Sequence, residues 1–395
     1  MSLGIYISVP FCRTKCSYCN FASNVFSRVV FERYVDRVCA DIENAPKVAA
    51  EMGGIIGRTV DSVYLGGGTP TVLESAQLEQ IFATVRSRFD VKPEAEITVE
   101  CAPGTLTPAM IASLLRCGVN RVSLGVQSFV DQEAAAVGRL HKRATVLEDI
   151  EQLRATGITN INIDLIAGLP HQSAQSWEFS LAETVATSAP HVSVYMLEVD
   201  EDSRLGREVL AGGTRYHAHF VPDEEATADF YLAACERLLS AGIAQYEISN
   251  FAREGFESRH NLKYWTRQPY FGFGVDAHSM LLTATPDIGA VRFASPDSLE
   301  KYISGTGLQR TAISRRAAFE ESFFLGLRLT RGIRLPELAA KFPGEPIENA
   351  RAAIADFVED GLMEQRGEFA CLTPRGRLLS NEVFERFIVA DEIIR

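Results

Sequence analysis

Short apolar runs alternate with longer amphipathic segments along the first two hundred residues. The short runs are rich in Val, Ile and Leu and predict six buried strands: Leu3–Ser8, Ser62–Leu65, Glu96–Glu100, Arg121–Gly125, Asn160–Leu165 and His191–Leu197. The segments between them predict helices: Phe31–Glu43, Ser75–Phe89, Pro108–Cys117, Thr145–Thr156 and Gln175–Thr187. Nearly continuous apolar character is typical of parallel strands covered by helices. Six strand–helix units in succession predict an α/β fold, a partial (β/α)6 TIM-like barrel.

The pattern changes after residue 200. It predicts a helix at Asp223–Ala241, then a stretch rich in glycine and aromatic residues, and then three helices at Ala317–Leu329, Leu335–Lys341 and Ile347–Asp360. Two short β-like runs around a glycine turn follow, which is typical of a winged-helix module. We therefore expect three parts: a barrel core (1–200), a segment that completes the barrel (201–310), and a C-terminal helical, winged-helix-like module (311–395).

Charge narrows the range of partners. The chain carries 39 basic and 51 acidic residues, so its formal net charge is −12. Nucleic-acid binding needs a basic face, so this balance argues against a nucleic-acid partner. The basic residues of the predicted winged module are few, and acidic residues lie between them: Arg366, Arg375 and Arg377. We expect this module to be a lid over the barrel or a docking surface for a protein, rather than a DNA-binding element.

Cellular location is also an expectation from the sequence. No apolar run approaches the roughly 18 residues of a membrane-spanning helix. The first twelve residues lack the charged region and the small-residue cleavage site of an export signal. These features predict a cytoplasmic protein.

Three of the eight cysteines are clustered. The other five lie singly in apolar-periodic segments, which predicts buried thiols: Cys39, Cys101, Cys117, Cys235 and Cys371. Cys12, Cys16 and Cys19 follow the first predicted strand as C-x3-C-x2-C, which indicates a reducing compartment and a metal. Structural zinc normally takes four ligands. Three cysteines are better suited to a [4Fe–4S] cluster in which one iron is open to another ligand. A zinc site completed by a distant histidine is the alternative.

Polar or glycine-rich positions follow four successive predicted strands. The second strand runs into Gly66–Pro70, the third ends at Glu100, the fourth runs into Gln127, and the fifth ends at Asp164. Barrel enzymes place their sites at the carboxyl ends of the strands, and glycine permits close approach of the backbone to a ligand. Each residue alone could equally be a surface residue or a helix cap. Their repetition predicts a binding site at this end of the barrel.

These motifs resemble the radical S-adenosylmethionine (SAM) superfamily, and within it the oxygen-independent coproporphyrinogen III oxidase branch. The resemblance rests on C-x3-C-x2-C and on further blocks: YISVPFC (6–12), GGGTP (66–70), ECAP (100–103), SLGVQSF (123–129), GRLH (138–141) and DLIAGLP (164–170). It implies a radical SAM barrel in which Cys12, Cys16 and Cys19 hold a [4Fe–4S] cluster, SAM chelates the open iron, and reduction cleaves SAM to a 5′-deoxyadenosyl radical. It also implies SAM contacts at nine positions: Tyr6, Tyr18, Gly67, Gly68, Thr69, Glu100, Gln127, Arg139 and, at the ribose, Asp164.

Two departures separate the sequence from the true oxidases. Those proteins carry a fourth cysteine two residues after the third, where this chain has Phe21. They also have a longer segment before the cluster, whereas the first cluster cysteine here is already residue 12. Both features resemble the heme chaperone subgroup, the HemW-type proteins.

A third feature, HNLKYW at 260–265, resembles the HNxxYW motif of that subgroup. An imidazole can ligate heme iron axially, and aromatic rings can stack on a porphyrin. The resemblance implies that His260 binds heme iron and that Tyr264 and Trp265 contact the porphyrin; a hydrogen-bonded core histidine is the alternative. His278 is a weaker heme candidate, and His217 and His219 are expected to be solvated.

The resemblance implies a chaperone that binds heme and delivers it to acceptor proteins of the respiratory chain. The cluster and SAM would then serve structure, dimerisation or regulatory electron transfer. Expected partners besides heme and its acceptors are an electron donor such as a flavodoxin, a membrane surface contacted peripherally, and a second copy in a homodimer. Enzymatic activity stays open. The main alternative is an oxidase that decarboxylates coproporphyrinogen III to protoporphyrinogen IX, and a heme-degrading radical SAM methyltransferase is a third class.

Overall fold

The structure, a computed structural model, describes residues 2–285 and 288–388. Its strands are β1 Leu3–Val9, β2 Thr59–Gly67, β3 Asp90–Cys101, β4 Arg121–Gln127, β5 Asn160–Ala167, β6 His191–Met196, β7 Ala244–Glu247, β8 Asn250–Ala252, β9 Tyr270–Gly274, β10 His278–Leu282, β11 Ile288–Ala294, β12 Gln309–Ser314, β13 Ile333–Arg334, β14 Met363–Arg366 and β15 Phe369–Leu372. All six strands predicted for the first part are present.

The helices are α1 Val29–Met52, α2 Ser75–Arg88, α3 Pro108–Arg116, α4 Asp131–Ala136, α5 Arg143–Ala155, α6 Ala174–Ala186, α7 Arg204–Leu210, α8 Glu224–Ser240, α9 Arg259–Trp265, α10 Leu299–Ser304, α11 Arg315–Gly326, α12 Leu335–Lys341, α13 Ile347–Glu359, α14 Pro374–Leu378 and α15 Ser380–Glu385. Two 3₁₀ turns span Pro70–Val72 and Arg215–Phe220. The helices predicted from periodicity are present, most with ends within two residues of the prediction.

Strands β1 to β6 lie side by side in chain order, and every neighbouring pair is parallel. β9 adds a further parallel strand beside β1. β10, β11 and β12 continue the sheet beyond β9 in antiparallel fashion, and β8 and β7 continue it beyond β6. The predicted partial (β/α)6 TIM-like barrel is therefore confirmed, with the carboxyl ends of six consecutive strands at one rim.

Alternate residues of a strand face opposite sides of the sheet. In this barrel the outward set is apolar and packs under the helices in the main core, as Ile7, Leu65 and Val99 do. The inward set is polar and buried, as with Ser62 and Thr98. The strands combine an apolar outer layer with a polar interior. Side chains that can bind a polar ligand therefore lie mainly inside the barrel.

Helix α1 is longer than its sequence pattern predicts. The predicted end, Glu43, lies three residues ahead of Pro46. Proline removes a hydrogen bond from a helix interior. The helix nevertheless continues through Pro46 to Met52, with Ala45 and Ala49 buried in the core, and ends at Gly53 with φ of 80°. Tertiary packing outweighs the local cost of the proline here.

The C-terminal part combines α11, α12 and α13 with a small sheet in the order β13–β15–β14, which confirms the predicted helical, winged-helix-like architecture. Its core is a separate apolar cluster that includes Phe319, Phe323 and Ile354. Glu321 joins this part to the barrel, since its carboxylate pairs with Arg267 at 2.9 Å and Arg292 at 3.0 Å. The division at residues 200 and 310 stays a prediction.

No helix within residues 2–285 and 288–388 has the length and apolar character needed to cross a membrane.

Candidate functional site at the carboxyl ends of the strands

The cysteine loop begins where β1 ends. Cys16 is buried, Cys12 and Cys19 are partly buried, and all three thiols are free. The loop is held from both sides: the backbone N–H of Cys12 donates to Asn24 O at 3.0 Å, and the N–H of Ser17 donates to Val137 O at 3.1 Å. Three thiols thus lie on one ordered loop at the carboxyl rim of the barrel.

The GGGTP turn at the end of β2 lies against this loop. A Cβ atom added at Gly68 would lie 2.6 Å from Phe11 O and 3.0 Å from Cys12 Sγ, so a larger residue would displace the loop. Gly67 has φ of 100°, a conformation that side chains rarely adopt. The N–H of Gly68 also donates to Val9 O at 2.7 Å, which ties the turn to β1. The glycines therefore serve close packing around the cluster loop.

Two cations approach the thiols. Lys15 Nζ lies 3.6 Å from Cys19 Sγ and donates to Phe21 O at 2.7 Å. Arg139 Nη1 lies 3.7 Å from Cys16 Sγ. Cysteine binds metal as the negatively charged thiolate, so these two positive charges offset part of the charge of a thiolate ligand set.

The donor set fits an iron–sulfur cluster rather than a single ion. In the part of the chain that the structure describes, no three His, Cys, Asp or Glu side chains are close enough to bind one metal ion. Cluster thiolates do not need that arrangement, because each binds a different iron of the cubane. Three free thiols on one loop, flanked by two cations, match this requirement.

Glu100 lies beside the loop at the end of β3. Its carboxylate accepts hydrogen bonds from Tyr64 Oη at 2.8 Å and from the N–H of Gly67 at 3.1 Å. A Cβ at Gly66 would lie 2.8 Å from this carboxyl group, so the glycine makes room for it. Burial, followed by the negative charge of Asp164, raises the pKa of Glu100 to about 7.

Asp164 is at the centre of a hydrogen-bonded network inside the barrel. It accepts from Ser123 Oγ at 3.0 Å and from Asn162 Nδ2 at 2.7 Å, and burial raises its pKa. Sequence reasoning missed Arg121, whose side chain is buried in the same interior and whose charge acts on both Glu100 and Asp164. The sequence feature that could have indicated Arg121 is a charged residue at the start of an otherwise apolar predicted strand.

Gln127 and Arg139 present polar atoms without protein partners. Gln127 has φ of 69°, and its Oε1 atom is buried without a hydrogen bond. Arg139 donates to Gly125 O, while its Nε atom is also buried and unpaired. A buried unpaired polar group costs free energy. These two atoms therefore favour a polar ligand at this rim, and SAM is one by its chemistry.

The remaining predicted SAM contacts surround the same region. Tyr18 is next to Arg139 and Cys16, and burial raises its pKa well above the usual value. Thr69 is buried, and its N–H donates to Phe11 O at 2.7 Å. The structure therefore brings all predicted cluster and SAM residues to one end or the interior of the barrel.

A first cavity of about 280 Å³ opens beside the cysteine loop. Its lining combines residues from the predicted SAM set with residues from distant segments: Tyr6, Gly67, Gly68, Phe21, Tyr264, Tyr270, Asp276 and His278. Phe21, which occupies the position of the oxidases' fourth cysteine, is 63% exposed. The cavity thus connects the cluster loop with the HNxxYW segment.

The HNxxYW segment forms α9, which packs at the amino-terminal end of the strands. His260 is 1% exposed, and both ring nitrogens are occupied, by Ser62 Oγ at 3.0 Å and by Tyr264 Oη at 2.8 Å. Its ring also lies 3.3 Å from the position of a Cβ at Gly4, near the start of β1. Burial lowers the pKa of His260 to about 3. Iron binding by His260 stays a prediction, and it would require at least one of these two hydrogen bonds to break.

The two aromatic residues of the motif differ in exposure to the cavity. Tyr264 lines the first cavity and packs edge-on against Tyr270, with ring centroids 4.6 Å apart. Trp265 instead packs under the guanidinium of Arg328, 4.4 Å from the ring centroid, and its Nε1 atom is buried without a partner. Only Tyr264 of this pair is placed to meet a ligand in the first cavity.

Fold and cysteine loop together define a radical SAM protein with an appended C-terminal module. Residues 6–182 match the radical SAM superfamily, and residues 313–379 match the HemN C-terminal domain. The fold is similar to that of coproporphyrinogen III oxidase (HemN) from Escherichia coli, with a TM-score of 0.83, 22% identity, and coverage of 98% of this chain and 90% of the other. That likeness concerns the fold.

Sequence similarity to curated relatives is more specific. The chain is 33% identical to heme chaperone HemW of Bacillus subtilis, over 97% of this chain and 98% of the relative. It is 33% identical to HemW of Mycobacterium tuberculosis (96% and 93% covered) and 29% identical to HemW of Escherichia coli K12 (98% and 98%). The chain belongs to the HemW family of heme chaperones. Its superfamily implies a [4Fe–4S] cluster and SAM as cofactors, and its family implies heme.

Proposed function

We propose that this protein binds heme and hands it to acceptor hemoproteins. The observation that carries the proposal is similarity to HemW proteins over nearly the whole length of both chains, so that barrel and C-terminal module are matched together. Acceptors of the respiratory chain are the partners that we propose within this function, and the cytoplasm is its proposed location.

Cys12, Cys16 and Cys19 would hold the [4Fe–4S] cluster. The arrangement that supports this assignment is the ordered loop after β1, with Lys15 and Arg139 beside its thiols. These cations lower the cost of placing three thiolates close together. When bound, the cluster supplies an open iron and an electron.

SAM would be held at the same rim. Glu100 can accept a hydrogen bond from the amino group of SAM, while Gln127 Oε1 and Arg139 Nε offer buried polar atoms that lack protein partners. Gly67 and Gly68 permit close approach of the backbone. Asp164 would accept from the ribose, and Tyr6, Tyr18 and Thr69 complete the surroundings.

Other contacts of the protein are proposed on the same basis. An electron donor such as a flavodoxin would reduce the cluster, a membrane surface would be touched peripherally during delivery, and two copies would associate as a homodimer. We propose no nucleic-acid partner, since the net charge of −12 opposes phosphate binding.

Coproporphyrinogen III oxidation is the second candidate. The observation in its favour is that an intact radical SAM barrel surrounds a cavity beside the cluster loop. Phe21 argues against it, because the oxidases carry a cysteine at this position. Retention of the barrel is compatible with either role.

An anaerobic heme titration of the reconstituted protein separates the two functions. The same preparation is incubated with coproporphyrinogen III, SAM and a reductant. Saturable heme binding without formation of protoporphyrinogen supports the chaperone. Turnover to protoporphyrinogen with negligible heme binding would replace it with the oxidase, and loss of porphyrin absorbance with SAM and reductant would indicate heme degradation.

A further inference from the structure

A second cavity, of about 660 Å³, is lined by a different part of the cysteine loop from the first. One wall is formed by Lys15 and Ser17, the two neighbours of Cys16, and another by the segment Ala135–Gly138 that leads to Arg139. The opposite wall is the 3₁₀ turn Arg215–Phe220 and its surroundings. None of the predicted cluster or SAM residues lines this cavity.

The wall opposite the cysteine loop is held in place by backbone contacts and by a small apolar cluster. The N–H of Leu205 donates to Ser17 O at 2.8 Å, and the N–H of His171 donates to Phe220 O at 3.0 Å. Leu205 and Ala218 are buried with Val137 in that cluster. The cavity is therefore a feature of the fold at which the cysteine loop, the end of β5 and the turn meet.

Three histidines cluster at this turn. His171 Nε2 and His217 Nδ1 are 3.0 Å apart, and His217 and His219 both line the cavity and are exposed. The His171 ring accepts a hydrogen bond through Nε2 when its own proton is on Nδ1. With Nδ1–H of His217 donating to His171, the Nε2 lone pair of His217 stays available. Metal-binding histidines are commonly oriented by such a partner on the second nitrogen.

The surroundings of the histidines suit an iron porphyrin. Tyr216 and Phe220 line the cavity and are 37% and 48% exposed, so they offer flat apolar surface. Arg204 supplies positive charge for a propionate at the same rim. Arg204 lies over the Tyr216 ring, 5.3 Å from its centroid, and its Nε atom has no hydrogen-bond partner.

The backbone of the turn is strained at the same point. Tyr216 and His217 are consecutive non-glycine residues in the left-handed region, with φ of 54° and 60°. Such conformations are unfavourable for residues with side chains and persist where the surrounding structure requires them. Both residues line the cavity.

We propose that this second cavity is the heme site of the protein, with His217 as an axial ligand of the iron oriented by His171. His219 is next to it, Tyr216 and Phe220 contact the porphyrin, and Arg204 binds a propionate. The proposal rests on the proposed heme-chaperone function and locates its heme-binding site in the fold. Heme would then lie against the loop that holds the cluster, separate from the first cavity.

Heme titration of full-length, cluster-reconstituted variants tests this assignment. The variants are His217→Ala, His217→Ala with His219→Ala, and His278→Ala, which alters an exposed histidine of the first cavity. We expect His217→Ala to weaken heme binding at least tenfold and to shift the Soret band, and added imidazole to restore that band. His278→Ala should bind heme within twofold of the unaltered protein. Cluster absorbance and thermal midpoint verify that each variant folds.

Each outcome bears on one of the two proposals. Unchanged heme affinity and spectrum in the double variant would overturn the second-cavity site while leaving heme binding by the protein intact. A loss confined to His278→Ala would also overturn it and place heme in the first cavity. If the unaltered protein binds no heme, the proposed function fails and the site with it. If the histidine variants fold poorly, Phe220→Ala and Arg204→Gln test the same wall of the cavity. Unchanged heme affinity in both variants would overturn the second-cavity site.

Discussion

The Nη1 atom of Arg139 lies 3.7 Å from Sγ of Cys16, so a residue in the loop between α4 and α5 reaches the cysteine loop after β1. The same guanidinium donates to Gly125 O on β4 and keeps its Nε atom without a partner. Arg139 is thereby held between a proposed cluster ligand and the proposed SAM site. This position predicts different consequences for the loss of either residue.

Replacing Arg139 with methionine should weaken SAM binding while the cluster is retained. Hydrogen bonds to charged groups contribute about 1.5–3 kcal/mol, which corresponds to roughly a 10- to 100-fold loss of affinity. Calorimetric SAM titration of the reconstituted protein measures this loss. Arg143→Met is the matched control, because Arg143 pairs with Glu183 at 2.8 Å outside the site. Equal SAM affinity in the two variants would show that Arg139 does not contact the ligand.

Replacing Cys16 with alanine should abolish the [4Fe–4S] cluster, because two cysteines cannot hold a cube that needs three protein ligands here. The measurement is iron content together with the EPR signal of the reduced protein. Cys39→Ala is the control, since Cys39 is a buried thiol of α1 away from the loop. A retained cluster signal in Cys16→Ala would refute the three-thiol site.

Much of the barrel was predictable because its signals are local. Each parallel strand is a brief apolar run, and each helix has an amphipathic period, so element type and order follow from sequence spacing. The cluster loop and the strand-end residues were likewise predictable, since the carboxyl ends of parallel strands share one rim. Cys16 and Glu100 could be placed at this rim from the positions of the predicted strand ends, without knowledge of long-range contacts.

Other features depend on contacts between distant segments, which no local pattern encodes. His260 is buried through its contacts with Ser62, almost 200 residues earlier in the chain. Arg121 opens an apolar strand but lies inside the barrel because alternate residues face inward. The expected solvation of His217 is consistent with its exposure, yet its pairing with His171 arises only when β5 and the Arg215–Phe220 turn come together.

SAM affinity should increase with pH near neutrality. The pKa of Glu100 is raised to about 7, so its carboxylate becomes mainly charged above that pH and attracts the cationic groups of SAM. SAM titrations at pH 6 and pH 8 should show tighter binding at pH 8. Glu100→Gln should bind more weakly and lose this pH dependence, whereas a similar dependence in that variant would assign the titration to another group.

The raised pKa of Glu100 also makes the stability of the protein depend on pH. Because the folded pKa lies above the usual value of 4.5, Glu100 stabilises the folded state below pH 4.5, and this contribution is lost as pH rises through about 7. Thermal midpoints of Glu100→Gln, relative to the unaltered protein, should therefore rise between pH 5 and pH 8. A constant difference between the two proteins across this range would contradict the assignment.

Replacing His260 with alanine should lower stability more than it alters heme binding. The change removes both hydrogen bonds of a buried ring and leaves Ser62 and Tyr264 without that partner. Such losses cost about 1–3 kcal/mol of the free energy of unfolding, which denaturant unfolding measures. Ser62→Ala is the comparison that removes one of the two bonds. Loss of the heme Soret shift without loss of stability would instead support His260 as the iron ligand.

Replacing Glu321 with alanine should strongly destabilise the attachment of the C-terminal module. Glu321 on α11 is 7% exposed, and its two oxygens pair with Arg267, which follows α9, and with Arg292 on β11. Removing one partner of a buried ion pair leaves uncompensated buried charge and costs about 3–5 kcal/mol.

Urea unfolding of the purified protein measures this loss. Glu337→Ala is the control, because the Glu337 side chain is mostly exposed and its pair with Arg334, at 2.9 Å, lies at the surface. Exposed pairs contribute about 0–1 kcal/mol, so that variant should unfold almost as the unaltered protein does. Equal stabilities of the two variants would mean that the ion pairs of Glu321 do not hold the module to the barrel, and that the apolar contacts of α11 do so alone.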